Sequence, residues 1–440
     1  MIADEENAPI FENPKHTWYD SILVKLAIIA VLILLLLIPS EWIQSMIAER
    51  ENSQQETLKS MTDAWSGSQL VQGPVLVIPY KPTATTNDFA YILPENLNIK
   101  ASVATELHHK GIADITQYNS KVNVQGTFTK TDLTKLGINA DQLMLDKARL
   151  VFSFSDMKGL KSNPAINVNG TIIPAEPIYA DNLTIFKKGL QVVFSAPKEA
   201  GFSFNYTLEL KGTNELSFLQ IGKTTEVEVT GDWKSPYYTG HYSPDKSKAD
   251  AGGFTAKWKV LDYNRPFPQQ WKDNDTLITS KTATAQAAFG VKFSLPIDQY
   301  RKTMRTTKYS CLIILLTFVS LFLTEVIRKQ RVHVFNYILI GAAMIVYYTL
   351  LLSFAEHLGY DVAYLIASVS TITLIAWFTS SLMDNKNVAF LFGAILTTFY
   401  GFIYTIIQLE ELSLLIGSIA LFVVVALLMY FSRKINWEKH

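Results

Sequence analysis

Between Lys308 and His440 the chain carries five apolar runs in close succession: Tyr309–Val326, Phe335–Phe354, Val362–Ser381, Val388–Ile407 and Ser413–Phe431. Each approaches the ~20 residues that cross ~30 Å of hydrocarbon as a helix. No water reaches that layer, so every backbone N–H and C=O must be paired within the protein. A helix or a closed barrel is what remains. The runs are apolar all round and lack period-two alternation, so helices are predicted.

The connectors between these runs alternate in charge. The first holds Arg328, Lys329 and Arg331; the second holds Glu356 and Asp361 without a Lys or Arg. The third holds Lys386, the fourth Glu410 and Glu411, and the tail Arg433, Lys434 and Lys439. Basic residues flanking a span are retained in the cytoplasm. One topology satisfies all five positions: basic connectors and C-terminus inside, acidic connectors outside.

The N-terminal segment 1–20 is polar and reads as a cytoplasmic tail. It is followed by the apolar stretch Ser21–Ile38. A cleaved signal peptide would carry a basic n-region and a small-residue cleavage site. Here the flank is acidic (Asp4, Glu5, Glu6, Glu12) and no such site follows Pro39. An uncleaved anchor over 21–47 is predicted, its helix running on past Trp42 to about Met61. That span takes the chain out, residues 48–303 form a domain outside, and the bundle 308–431 returns it. Six spans place both termini, including the tail 432–440, in the cytoplasm. Arg301, Lys302, Arg305 and Lys308 then flank a span on its outer side, which is tolerated because long domains translocate largely regardless of charge.

The large domain reads as all-β. Phe202–Lys211 alternates apolar and polar, as do Phe254–Val260, Val122–Gln125 and Val227–Thr230. That period buries one face and solvates the other, as in antiparallel sheets. Gly, Pro and Asn clusters punctuate the runs. Strand-like runs end at Gly126, Gly170, Gly212 and Gly231, the first three at spacings of 44 and 42. A degenerate repeat would give such spacings, but any antiparallel domain makes similar strands, and the intervening residues do not match. A short helix is predicted over Thr131–Asp146 from Leu133, Leu136, Leu143 and Leu145. The expected form is a β-sandwich or two stacked sheets. The lone cysteine, Cys311, lies in a span, so the domain needs a core that holds without disulfides. At about 255 residues it is long enough to have one.

Chemistry is sparse. Net charge is zero, which implies no bulk attraction to nucleic acid or anionic lipid. Two S-x-x-K spacings occur, Ser155–Lys158 and Ser243–Lys246, but without the K-T-G that accompanies them in penicillin-binding enzymes. His108, His109 and His241 lack a H-E-x-x-H or Cys partner and read as exposed loop residues. The candidate functional residues are acids and a histidine at the ends of the spans: Glu325, Glu356, His357, Asp361, Glu410 and Glu411. Ionisable groups at membrane depth point to function, whereas at the edge a carboxylate reaches headgroup water or serves packing, and that reading carries more weight here. His357 between Glu356 and Asp361 is placed to sense pH, since a neighbouring carboxylate stabilises the imidazolium. Tyr400, Gly401, Tyr404 and Gly417 read as helix packing.

Over nearly its whole length the chain resembles the CreD family of bacterial inner-membrane proteins. The resemblance is carried by Leu34–Pro39, Leu70–Pro74, Leu208–Gly212, Ile221–Val227, Asp232-Trp233, Gly253–Trp258 and Phe289–Phe293 with Pro296, Tyr300 and Lys308-Tyr309. In the spans it is carried by Ser353–His357, Asp361–Tyr364, Tyr400-Gly401, Gln408–Glu411, Gly417-Ser418, Met429-Tyr430 and Trp437. Lys158 and Lys211 stand where the pattern has arginine, and Gly231 where it has serine. The resemblance implies a role in envelope integrity, a two-component stress regulon, and altered tolerance to β-lactams and colicins. It implies no catalytic residue and no cofactor. The expected partners are membrane lipids, other envelope proteins or a second copy.

Three function classes remain: a structural adaptor coupling the β-domain to the bundle, a transporter or lipid-handling protein using the acidic–histidine cluster, and an envelope enzyme, for which no nucleophile–base set is found. The topology is checked by protease added to intact spheroplasts. Cleavage is expected within 48–303 and absent at the Arg328–Arg331 corner, and the reverse pattern would overturn it.

Overall fold

Apolar residues around the whole circumference of a helix need an apolar surrounding on every side, and the longest helices of the C-terminal third have that character. The computed structural model describes residues 22–409 except 83–87, 112, 179–184, 187, 273–276, 294–298, 329–331 and 383–385, and beyond them 415, 417–419, 422, 426 and 429. The helices are α1 (Ile22–Trp65), α2 (Lys281–Ala287), α3 (Gln299–Lys308), α4 (Ser310–Arg328), α5 (Val334–Leu358), α6 (Tyr360–Leu382) and α7 (Lys386–Gln408). Four of them (α1, α5, α6 and α7) are long and apolar enough to cross a membrane, and α3 with α4, bent by 44° at their junction, would make a fifth. The sixth expected span, Ser413–Phe431, lies mostly outside the described residues.

The chain divides into two compact units, one of residues 1–53 with 297–440 and one of residues 54–296. In the helical unit, α1 passes through Pro39 without ending, although the ring removes one intrahelical bond. Its buried residues Ile29, Leu32, Ser40, Ile43 and Ile47 recur at helical spacing and form one stripe. A Cβ on Gly341 of α5 would lie 2.4 Å from Leu36, so the missing side chain lets α1 approach closely, as small residues do between apolar helices. Gly359, at φ +78°, ends α5 and reverses the chain into α6.

The second unit holds two sheets. Its strands are β1 (Gln69–Tyr80), β2 (Asp88–Ile92), β3 (Asn96–Lys110), β4 (Ala113–Phe128), β5 (Ala148–Phe154), β6 (Ala165–Val168), β7 (Thr171–Pro174), β8 (Glu176–Pro177) and β9 (Leu190–Phe194). They continue with β10 (Phe202–Thr213), β11 (Glu215–Leu219), β12 (Thr224–Gly231), β13 (Tyr237–Gly240), β14 (Lys246–Asp250), β15 (Gly253–Leu261), β16 (Gln270–Lys272) and β17 (Ala288–Lys292). One sheet runs β13-β17-β11-β1-β5-β9-β8, with β2 on β1 and β16 on β2; the other runs β14-β15-β12-β3-β4-β10-β6-β7. Both contribute to a single hydrophobic cluster. Rings from the two sheets meet at Phe152–Tyr206, 4.8 Å between centroids, and Trp258–Phe289, 5.6 Å.

The alternating runs are strands with the expected inward faces: Phe202, Phe204, Tyr206, Leu208 and Leu210 of β10, and Phe254, Ala256, Trp258 and Val260 of β15, are all buried. Two expectations are corrected. The sheets are not purely antiparallel, because β1 pairs parallel with β11 and β3 with β12. Each parallel pair joins strands more than a hundred residues apart, which local alternation does not encode. Further along the chain, Thr131–Asp146 is not one helix but three 3-10 turns at Thr134–Leu136, Ala140–Gln142 and Leu145–Lys147. Gly137, left-handed at φ +72°, breaks it, and Leu133 and Ile138 anchor it beside Tyr80 and Ala90. The glycines at matching run ends do not share one role. Gly126 and Gly212 sit under rings of the paired strand, where a Cβ would lie 2.7 Å from Phe204 and 2.4 Å from the Tyr118 hydroxyl, whereas Gly170 occupies a turn at φ +90°.

The end of α1 is held by Asp156, which follows β5. Its carboxylate accepts from Gly67 N at 3.0 Å, Ser66 Oγ at 3.2 Å and Lys158 N at 3.0 Å. Partial burial pushes its pKa up, but the bonds to the Gly67 and Lys158 amides and the Ser66 hydroxyl outweigh this and hold it below the ordinary value of 3.8. A carboxylate depressed on folding stabilises above its unfolded pKa, and that stability is lost as pH falls through the folded value. Acid unfolding of the β-rich unit, followed by near-ultraviolet circular dichroism below about pH 4, is therefore expected to be shallower in an Asp156→Asn variant. An unchanged acid limb would show that this carboxylate does not hold the turn.

Candidate functional site

The acidic candidates of the helical unit separate into two groups. Glu325, in the last turns of α4, is 6 % exposed. It forms an ion pair with Lys25 of α1. Its Oε2 accepts from the Tyr337 hydroxyl of α5 at 3.0 Å, and its Oε1 from Val332 N at 3.1 Å. Lys25 Nζ also donates to the Val332 carbonyl at 2.8 Å. The partners of Glu325 are therefore protein groups from three segments. Lys25 was not singled out from sequence, yet a lysine inside an otherwise apolar run is the signal, since a charge there requires a counter-charge.

At the opposite end of α5 the second group assembles. Glu356 Oε1 accepts from the Tyr300 hydroxyl of α3 at 3.3 Å, with Arg50 Nε at 3.8 Å. The Arg50 side chain is 56 % exposed, so this pair adds little stability. Asp361, opening α6, accepts from the Tyr404 hydroxyl at 3.1 Å and Gln408 Nε2 at 2.5 Å, both on α7. Gln408 Oε1 in turn accepts from Lys302 Nζ at 3.1 Å. Glu356 and Asp361 therefore lie at the same end but have separate partners. His357 is exposed, and among the described residues no hydrogen bond links it to either carboxylate. Glu410 and Glu411 lie outside the described residues.

From Asp361 a series of tyrosines leads inward. Ring centroids lie 5.2 Å apart for Tyr404–Tyr364, 6.1 Å for Tyr364–Tyr347, 4.8 Å for Tyr347–Tyr348 and 5.0 Å for Tyr347–Tyr400. Tyr364 donates to the Tyr400 carbonyl at 2.6 Å. The hydroxyls of Tyr348 and Tyr400 are buried and have no hydrogen-bond partner among the described residues. Only Tyr400 and Tyr404 were singled out from sequence, as packing residues. The pairing of Tyr347 with Tyr364 depends on how α5, α6 and α7 associate.

In the β-rich unit neither S-x-x-K spacing brings its pair together. Ser155 Oγ accepts from Leu70 N, while Lys158 Nζ donates to the Asp63 carbonyl. Ser243 precedes β14, on which Lys246 is exposed. His109 contacts Asp114 on an exposed hairpin end. Among the described residues no three His, Cys, Asp or Glu converge as metal ligands.

These features define a protein with several membrane-type helices and a large two-sheet β-rich region. The family profile described as Inner membrane protein CreD matches residues 21–438. The Inner membrane protein CreD of Escherichia coli K12 is 28 % identical over 419 residues, covering 92 % of this chain and 91 % of that protein. The chain belongs to the CreD family of inner membrane proteins.

The Lys25–Glu325 pair generates a stability prediction. Removing one partner of a buried ion pair leaves the other charge uncompensated, at a cost of about 3–5 kcal/mol. Glu325→Gln is expected to lower the denaturant midpoint of the helical unit in detergent, and Lys25→Met with Glu325→Gln to recover most of the loss. Equal midpoints for wild type and Glu325→Gln would show that the pair does not brace the helices.

Proposed function

We propose that this CreD-family protein is a non-enzymatic structural adaptor of the cell envelope, in which a helical bundle in the inner membrane anchors a sandwich-like β-domain on the periplasmic side. The reading includes six spans, both termini in the cytoplasm and residues 48–303 outside. It also carries the family's implied link to a two-component stress regulon and to β-lactam and colicin tolerance. The observation that supports it best is where the membrane-end acids terminate. Glu325, Glu356 and Asp361 each end on side chains of neighbouring helices, so their polar groups brace helix against helix. Asp361 is exposed yet still ends on Tyr404 and Gln408, whereas a transporter would leave such carboxylates for its cargo.

One observation favours the second reading, a transporter or lipid-handling protein. The unpartnered hydroxyls of Tyr348 and Tyr400 sit in an apolar bundle, where an unmet hydroxyl costs roughly 1–3 kcal/mol, and a passing polar group would meet that need.

The two readings separate in a bacterium deleted for its CreD-family protein and scored for survival in detergent and β-lactam. Asp361→Asn and Glu356→Gln are expected to restore at least half of the wild-type resistance, because neutral amides still brace the helices. Loss of rescue by both variants, with protein present in the membrane at wild-type levels, would favour transport.

A further inference from the structure

We propose that α3 is a headgroup-level binding site for anionic phospholipid, with Arg301, Arg305 and Lys308 taking the lipid phosphates. Depth is the first argument. The apolar run of α1 begins at Ile22, and Trp42 lies about 30 Å further along the helix axis at ~1.5 Å per residue, the thickness of the hydrocarbon layer. Trp42 is 69 % exposed, as suits a ring anchored at the interface. Ser40 of α1 is hydrogen-bonded to Ser310 of α4, Oγ to Oγ at 2.6 Å. Ser310 therefore lies at the level where the hydrocarbon ends. The ten residues of α3, which precede it at a 44° bend, lie beyond that level among headgroups.

The second argument is the distribution of charge around α3. At 100° per residue, Arg301, Lys302, Arg305 and Lys308 fall within an arc of about 120°. Tyr300, Thr303, Thr306 and Thr307 are buried and fill the opposite arc. Their contacts hold the helix in one rotation: Tyr300 donates to Glu356, and Thr306 bonds the Tyr360 hydroxyl at 2.7 Å. Arg301 and Lys308 are exposed, and Lys302 and Arg305 are half-buried. Lys302 is excluded from the site because it donates to Gln408 and lies over the Tyr360 ring. Glu356 accepts from Tyr300, and Asp361 from Gln408 and Tyr404. Arg301 and Arg305 also make contacts within the protein; a guanidinium carries five N–H donors.

The third argument is asymmetry. The α5–α6 connection at this end carries Glu356 and Asp361 and no Lys or Arg, and Arg50 of α1 lies against Glu356, whereas α3 carries four basic residues within one arc. A basic face on a short amphipathic helix at headgroup depth attracts anionic lipid. Long basic side chains there extend their charges toward the phosphates while their stems cover apolar surface.

The test uses the full-length protein, immobilised in mild detergent and washed with mixed micelles holding equal phosphatidylglycerol and phosphatidylcholine. Retained lipid is then counted by mass spectrometry. Wild type is expected to retain phosphatidylglycerol preferentially. Arg301→Gln with Arg305→Gln and Lys308→Gln is expected to lower that preference by on the order of tenfold or more, and Arg301→Lys with Arg305→Lys to keep most of it. The wild-type preference is expected to fade as salt rises from about 0.01 to 1 M, a measurement that needs no variant. Inorganic phosphate at matched ionic strength is expected to leave it unchanged. An equal preference in wild type and the triple variant, a salt-independent preference, or displacement by inorganic phosphate alone would each overturn the proposal.

Discussion

A charge placed in hydrocarbon must find a counter-charge inside the protein, and the Lys25–Glu325 pair meets that condition by joining the first helix of the chain to one that begins almost three hundred residues later. Its members are additionally held by Tyr337 and by both backbone groups of Val332. A pair so fully hydrogen-bonded is one whose mutual attraction offsets its desolvation.

The β-rich unit answers to a different solvent. Here apolar side chains leave water by forming one cluster from two sheets, and polar residues occupy the outer positions of the same strands. The β12–β15 pairing shows this alternation clearly. Val227 and Trp258 are buried, while Glu226 and Glu228 pair outward with Lys259 and Lys257. Those exposed ion pairs add little stability; the buried rings and aliphatic chains supply most of it. The two parallel pairs are the costly part of the topology, because each closes a long loop before its contacts form.

Much of this organisation was legible in the residues. Apolar runs in α5, α6 and α7 are continuous, and period-two alternation in β10 and β15 is unbroken, so each declares its element locally. The segment Thr131–Asp146 was misread because leucine spacing suits a helix, while Gly137 imposes a left-handed residue that ends one. Asp361 was recognised as a candidate, but its partners Tyr404 and Gln408 lie over forty residues away on another helix. Glu325 was recognised as well, yet its burial depended on Lys25, which belongs to a segment whose position beside α4 no local pattern states.

By itself the amino-acid order determined which segments seek hydrocarbon and which alternate between core and water, because hydropathy and its period are properties of neighbours in the chain. The tertiary structure alone decided that Lys25 meets Glu325, that β1 lies parallel to β11, and that five tyrosines converge from three helices. Those outcomes depend on which faces approach one another, and packing sets that choice between residues far apart in sequence.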